Sequence, residues 1–162
     1  MKTDNTIKIL VVDDDPHILS ATAKMVRSAG YEVIVAETGS DALEEARTHL
    51  PDLIVLDVML PDMDGLEVCN QIKEAHLASD PLIIMASGMR TSGDDQSDGL
   101  LFGADDYLSR PFKKEELLLR ISFMLKFKEI RDDLKQENSR LLEENGQLRE
   151  TVKLFQEKLG KE

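Results

Sequence analysis

Five short apolar runs, separated by longer segments of helical spacing, constrain this chain more than any other feature. Ile7–Val12 (IKILVV), Glu32–Ala36 (EVIVA), Asp52–Asp57 (DLIVLD), Pro81–Ser87 (PLIIMAS) and Asp106–Pro111 (DYLSRP) read as strands. ILSATAKMVRSAG, SDALEEARTHL and DGLEVCNQIKEAH, lying between the first four, place apolar residues three and four apart and read as helices, the first closing on Gly30. Strands apolar on both faces must be covered on both, so the alternation predicts an α/β domain: a doubly wound parallel sheet of (βα)5 pattern. The fourth intervening segment, TSGDDQSDGLLFG, predicts only a short, weak helix, because glycines, serines and aspartates disfavour helical backbone.

Length and composition fit one ordinary domain with an appendage, since the chain has 162 residues and is 41% hydrophobic. The first apolar run is too short to cross a bilayer and nothing at the N-terminus resembles a signal peptide, so a cytoplasmic protein without a membrane partner is expected. The net charge of -12 falls almost wholly on residues 1–126. Such a surface repels nucleic acid and carries no basic stripe, so direct binding to DNA or RNA is not expected; a cation site is. The single cysteine, Cys69, cannot pair within the chain and reads as a small core residue.

From Phe127 the spacing becomes a heptad. Phe127, Leu134, Leu141, Leu148 and Phe155 fall at d, with Asn138, Asn145, Val152 and Leu159 at a. Leucine-rich d positions with asparagine at a favour a parallel in-register homodimer through residues 127–159, because each buried amide needs its twin across the seam. Glu144 at g could then reach Arg149 at e of the partner. The competing reading is a solvated single helix, or one folded back on the domain. Residues 1–126 are thus expected to form the domain and 127–162 a coiled-coil extension of the helix after the fifth strand.

In a doubly wound sheet, ligands bind beyond the carboxyl ends of the strands. The acids sit there: Asp13 and Asp14 follow the first strand and Asp57 closes the third, while Ser87 closes the fourth and Arg110 closes the fifth. Three converging carboxylates repel unless a cation neutralises them, and an all-oxygen donor set selects a hard ion such as Mg²⁺. A carboxylate beside such an ion can attack phosphorus and form an aspartyl phosphate, with Ser87 donating to one phosphoryl oxygen and Arg110 pairing with another. Asp15 before Pro16 reads as a helix cap, Asp62, Asp64 and Gly65 as a turn opening the next helix, and His17, His49 and His76 as surface residues.

The stretches ILVVDDDPHI, DLIVLDVMLPDMDGLEV, PLIIMASG and GADDYLSRPF, in that order and spacing, closely resemble the receiver domain of two-component response regulators over about residues 7–126. The resemblance implies a flavodoxin-like fold with sheet order 2-1-3-4-5. It implies Asp57 as the phosphoacceptor, Mg²⁺ bound by Asp13, Asp14, Asp57 and the backbone carbonyl of Met59, and a histidine kinase or phosphotransfer protein as donor. It also implies a switch hydroxyl at Ser87, or at Ala86 if the strand is one residue shorter, and a switch aromatic at Tyr107. Arg110 departs from the family pattern, which has lysine before Pro-Phe; the charge is kept but a planar fork replaces a compact ammonium. Met59 and Met89 would lie beside the path of hydrolytic water without a polar group to orient it, so slow loss of phosphate is expected.

The function so implied is a phosphorylation-dependent switch transmitting its change to a dimeric coiled coil, not a turnover enzyme. Two rivals stand beside it. A pseudo-receiver would be a constitutive dimerisation module, with Arg110 as its best support and the acidic triad against it. An aspartyl-phosphate hydrolase would need a second acid two residues past the nucleophile, where Met59 stands.

Overall fold

The computed structural model describes residues 6–88 and 103–160. Five strands, β1 (Lys8–Val12), β2 (Glu32–Ala36), β3 (Leu53–Asp57), β4 (Leu82–Ser87) and β5 (Asp106–Ser109), form one sheet in the order β2-β1-β3-β4-β5. All four pairings are parallel. The described helices are α1 (Pro16–Arg27), α2 (Gly39–His49), α3 (Gly65–Glu74) and α4 (Lys114–Leu159). This is the flavodoxin-like topology and the long C-terminal helix that the sequence implies. The expected fourth intervening segment lies, apart from Gly103, outside the described residues, as does Met89.

β1, β3 and β4 are the apolar runs, and nearly every residue in them is buried, because helices cover both faces. On one face Leu10, Ile54 and Ile83 pack with Ala42 and Ala46 of α2 and Val68 and Ile72 of α3. On the other, Val11, Val55 and Ile84 pack with Leu19 and Val26 of α1 and Leu117 and Ile121 of α4. Leu117 and Ile121 are fully buried, and each contributes about 1.5–3 kcal/mol relative to an exposed position. Cys69 lies wholly inside, and burial pushes its thiol up to about 11, as suits an inert core residue.

Local chemistry sets the ends of the elements. Asp15 caps α1 by accepting from the N–H groups of His17 and Ile18, with Pro16 opening the helix. Helix α1 ends at Arg27 and is capped by Ser28, so Gly30, left-handed at φ 88°, comes two residues after the cap. Strand β5 stops at Ser109, two residues short of the expected Pro111. Proline has no N–H for the ladder, and Arg110 makes the last link by donating to Ser87 O at 2.7 Å. Residues 1–125 and 126–162 form two separate compact units. Among the described residues no helix is long and apolar enough to cross a membrane.

Candidate functional site

The winding of the sheet reverses between β1 and β3, and the acids stand at the carboxyl ends of these two strands. One carboxylate oxygen from each of Asp13, Asp14 and Asp57 lies within 4.8 Å of the others. Asp13 and Asp57 are buried and Asp14 is exposed, so the cluster opens to solvent on one side.

Each acid is fixed by its neighbours. Asp13 donates its N–H to Ala36 O, continuing the ladder one step past β1, and its Oδ1 accepts from Asp15 N at 2.9 Å. Asp57 Oδ1 accepts from Met59 N at 3.4 Å, at the start of the β3–α3 loop. Gly65 lets that loop return, since it donates to Val58 O at 2.7 Å and has backbone where a side chain would stand. A Cβ on Gly65 would overlap Asp57 O and come within 2.8 Å of Val58 Cα.

Arg110 joins the two buried acids. Its Nη2 bonds Asp13 Oδ2, and its Nη1 lies 3.3 Å from Asp57 Oδ2. The cation expected beside a phosphoryl group thus contacts the two carboxylates. A buried carboxylate without a partner is costly, and the guanidinium fork offsets that cost at both acids together. Burial raises the pKa of Asp13 from its ordinary value, with the charge on Asp57 adding to the rise, against the lowering effect of the Asp15 N–H and Arg110. Arg110 Nε is buried with no partner among the described residues.

Ser87 closes β4 as expected and is buried. The cross-strand partner of Asp57, however, is Ala86, whose methyl packs beside Val55 and Ile84. Asp57, Met59, Ser87 and Arg110 line an open cleft of about 730 Å³ together with Ile18 and Phe112. Tyr107 is half-buried against the core on the α2–α3 side, its hydroxyl buried without a partner among the described residues.

One positioning residue escaped the sequence reading, which took Asp62 for a turn. Asp62 is instead a tertiary latch, its Oδ1 accepting from Gly39 N at 2.7 Å and its Oδ2 from Ser40 N and Ser40 Oγ at 2.9 and 2.7 Å. It thereby pins the β3–α3 loop to the N-terminus of α2, and these bonds, the Ser40 hydroxyl first, hold its pKa down at about 2. No local spacing could have signalled it, because its partners lie more than twenty residues away. Asp64, by contrast, stands at the start of the next helix as expected, where it caps α3 by accepting from Leu66 N.

Residues 9–122 match the family described as the response regulator receiver domain. The chain belongs to that family. Among similar proteins, the alkaline phosphatase synthesis transcriptional regulatory protein PhoP of Bacillus subtilis is 43% identical over 126 residues, which is 76% of this chain and 50% of PhoP. The response regulator MprA of Mycobacterium ulcerans is 41% identical over 128 residues, 79% of this chain and 54% of MprA. A solved CheY-like response regulator receiver domain from Methanospirillum hungatei superposes with a TM-score of 0.73 at 31% identity, covering 78% of this chain and 99% of that one. The chain spans about half the length of the curated relatives it matches. One of them is named a transcriptional regulatory protein, which leaves the expected absence of a nucleic-acid partner unsupported. Receiver domains of this family serve in signalling, not in substrate turnover.

Proposed function

We propose that this chain is a phosphorylation-dependent switch in which Asp57 accepts a phosphoryl group from a histidine kinase or phosphotransfer protein. The observation that carries the reading is the convergence of Asp13, Asp14 and Asp57 within 4.8 Å at the edge where the winding reverses. The donor set suits a hard divalent ion, since it consists of carboxylates alone, opens to solvent at Asp14 and already draws a cation in the guanidinium of Arg110. Asp13, Asp14, Asp57 and the backbone carbonyl of Met59 would hold Mg²⁺, which when bound supplies charge neutralisation between the attacking carboxylate and an anionic donor.

The chain's own residues do the rest. Met59 N fixes Asp57 through Oδ1, which leaves Oδ2 as the oxygen for attack on phosphorus, and an open cleft beside it receives the donor side chain. Ser87 and Arg110 supply a hydroxyl and a cation for the phosphoryl oxygens, and Tyr107 supplies the aromatic that answers the new charge. Met59 lines the cleft with a thioether, which orients no water, in keeping with slow loss of phosphate.

In this reading residues 1–126 are the receiver and residues 127–162 the coiled-coil extension. Leu134, Leu148 and Phe155 expose about 60% or more of their surface on the isolated helix, an apolar stripe suited to a second copy. Asn145 Nδ2 now donates to Leu141 O of its own helix, a bond it would exchange for its twin's amide. A nucleic-acid target for the dimer belongs to the proposal as well, in view of the name of the Bacillus relative, with any contact placed away from the acidic surface of residues 1–126.

A second reading, the pseudo-receiver, is favoured by one observation, that Arg110 already ties up Asp13 and Asp57. Beryllofluoride with Mg²⁺, added to the full chain and to Asp57→Asn, separates the two. Amide chemical-shift changes reaching Tyr107 in the wild type and absent in the variant support the switch. A wild type that does not respond supports the pseudo-receiver.

A further inference from the structure

Arg110 contacts the same two acids that the proposed ion needs. Its fork reaches Oδ2 of Asp13 and Oδ2 of Asp57 together, and its side chain is only 13% exposed. A lysine could place one point charge there; a planar guanidinium spans two carboxylates and takes up an oxygen on each. Three acids within 4.8 Å would otherwise repel, and buried Asp13 has no other cationic partner among the described residues.

We propose that Arg110 is a tethered counter-ion that competes with the divalent cation for Asp13 and Asp57, so that metal binding is an exchange of one cation for another. The inference rests on the reading of the acidic cluster as a Mg²⁺ site and goes beyond it by assigning a brake to this chain's arginine. Without metal, the guanidinium keeps the buried acids satisfied and covers the Asp57 oxygen that attack on phosphorus requires. Binding of the ion releases the fork and uncovers that oxygen, leaving a cation beside the arriving phosphoryl group. Acceptance of phosphate is thereby gated by metal at the nucleophile as well as through charge neutralisation. The exchange also weakens the apparent metal affinity, since the Arg110 contacts must be given up for each ion bound.

Calorimetric titration of the full chain with MgCl₂ at fixed ionic strength tests this, using wild type, Arg110→Lys and Arg110→Gln. Removing a unit positive charge at ion-pair distance from a divalent ion is expected to tighten binding by about ten-fold in Arg110→Gln, with Arg110→Lys changing less. Equal or weaker binding in Arg110→Gln overturns the proposal. Thermal unfolding with EDTA and with saturating Mg²⁺ adds a readout that a merely structural role would not move. The midpoint of Arg110→Gln should fall below wild type in EDTA and recover with Mg²⁺, whereas a deficit equal in both conditions overturns the exchange. Arg110→Lys, which keeps a cation, serves if the glutamine variant does not fold. Absence of Mg²⁺ binding in every protein overturns the metal reading and this proposal together, while tightened binding without a beryllofluoride response overturns the switch and leaves the exchange standing.

Discussion

Replacing Gly65 by alanine probes the geometry on which the site depends. Gly65 opens α3 and passes directly over the end of β3, and a Cβ there would overlap Asp57 O and lie 2.8 Å from Val58 Cα. Both neighbours are main chain, so no side-chain rotation relieves the overlap and the loop must move by roughly 1 Å to restore ordinary contact. Forcing an extra carbon into packed surroundings costs about 1–3 kcal/mol. Displacement also strains the Gly65 N–H bond to Val58 O, worth about 1 kcal/mol. Alanine's lower chain entropy returns about 0.5–1 kcal/mol. The net loss is about 1–3.5 kcal/mol, within the about 5–15 kcal/mol of a typical domain, so the variant should still fold. Urea denaturation should show a lower midpoint at unchanged slope, and Mg²⁺ affinity should fall because the shifted atom belongs to Asp57. A variant within about 0.5 kcal/mol of wild type and with full Mg²⁺ affinity would show that the close approach of Gly65 does not set the loop.

Other outcomes follow from single contacts. Asp62 has its folded pKa lowered to about 2, so its latch contributes stability above its ordinary pKa that is lost as pH falls toward 2; urea midpoints for Asp62→Asn should therefore decline less than wild type over that range, and parallel curves would count against the latch. Ser87→Ala should still accept phosphate from acetyl phosphate yet lose the beryllofluoride shifts at Tyr107; an intact response would move the switch role away from this hydroxyl and leave Ala86 opposite Asp57 to be tested as Ala86→Thr. Asn138→Leu with Asn145→Leu should give a more heat-stable C-terminal helix of mixed oligomeric state by sedimentation, and a uniform dimer would show that the amides do not set register. Cys69, with its thiol pushed up to about 11, should react with Ellman's reagent at neutral pH only on unfolding; rapid reaction of the native chain would contradict its burial.

The sheet could be read from sequence because each central strand is a run apolar on both faces, a pattern that only a sheet covered on both sides satisfies. The convergence of Asp13, Asp14 and Asp57 followed from parallel strand direction alone, since remote residues at strand ends then share one edge. Legibility failed where side chains choose partners across the fold. The bonds of Arg110 to Asp13 and Asp57 are invisible in the sequence because they depend on how the chain turns after β5. Asp62 resembled any turn aspartate, its bonds to Gly39 and Ser40 being set by the packing of α2 against α3. The end of β5 was misplaced because an apolar count does not register that Pro111 lacks an N–H.

Direct chemical trapping tests Asp57 as the phosphoacceptor. The full chain is incubated with Mg²⁺ and acetyl phosphate, and the acyl phosphate is reduced with borohydride and located by peptide mass spectrometry. The account predicts one phosphoryl group per chain in the intact mass, reduction at Asp57 alone, and neither in Asp57→Asn or in EDTA. A phosphoryl group that persists in Asp57→Asn, or a wild type that takes none with Mg²⁺ present, would contradict it.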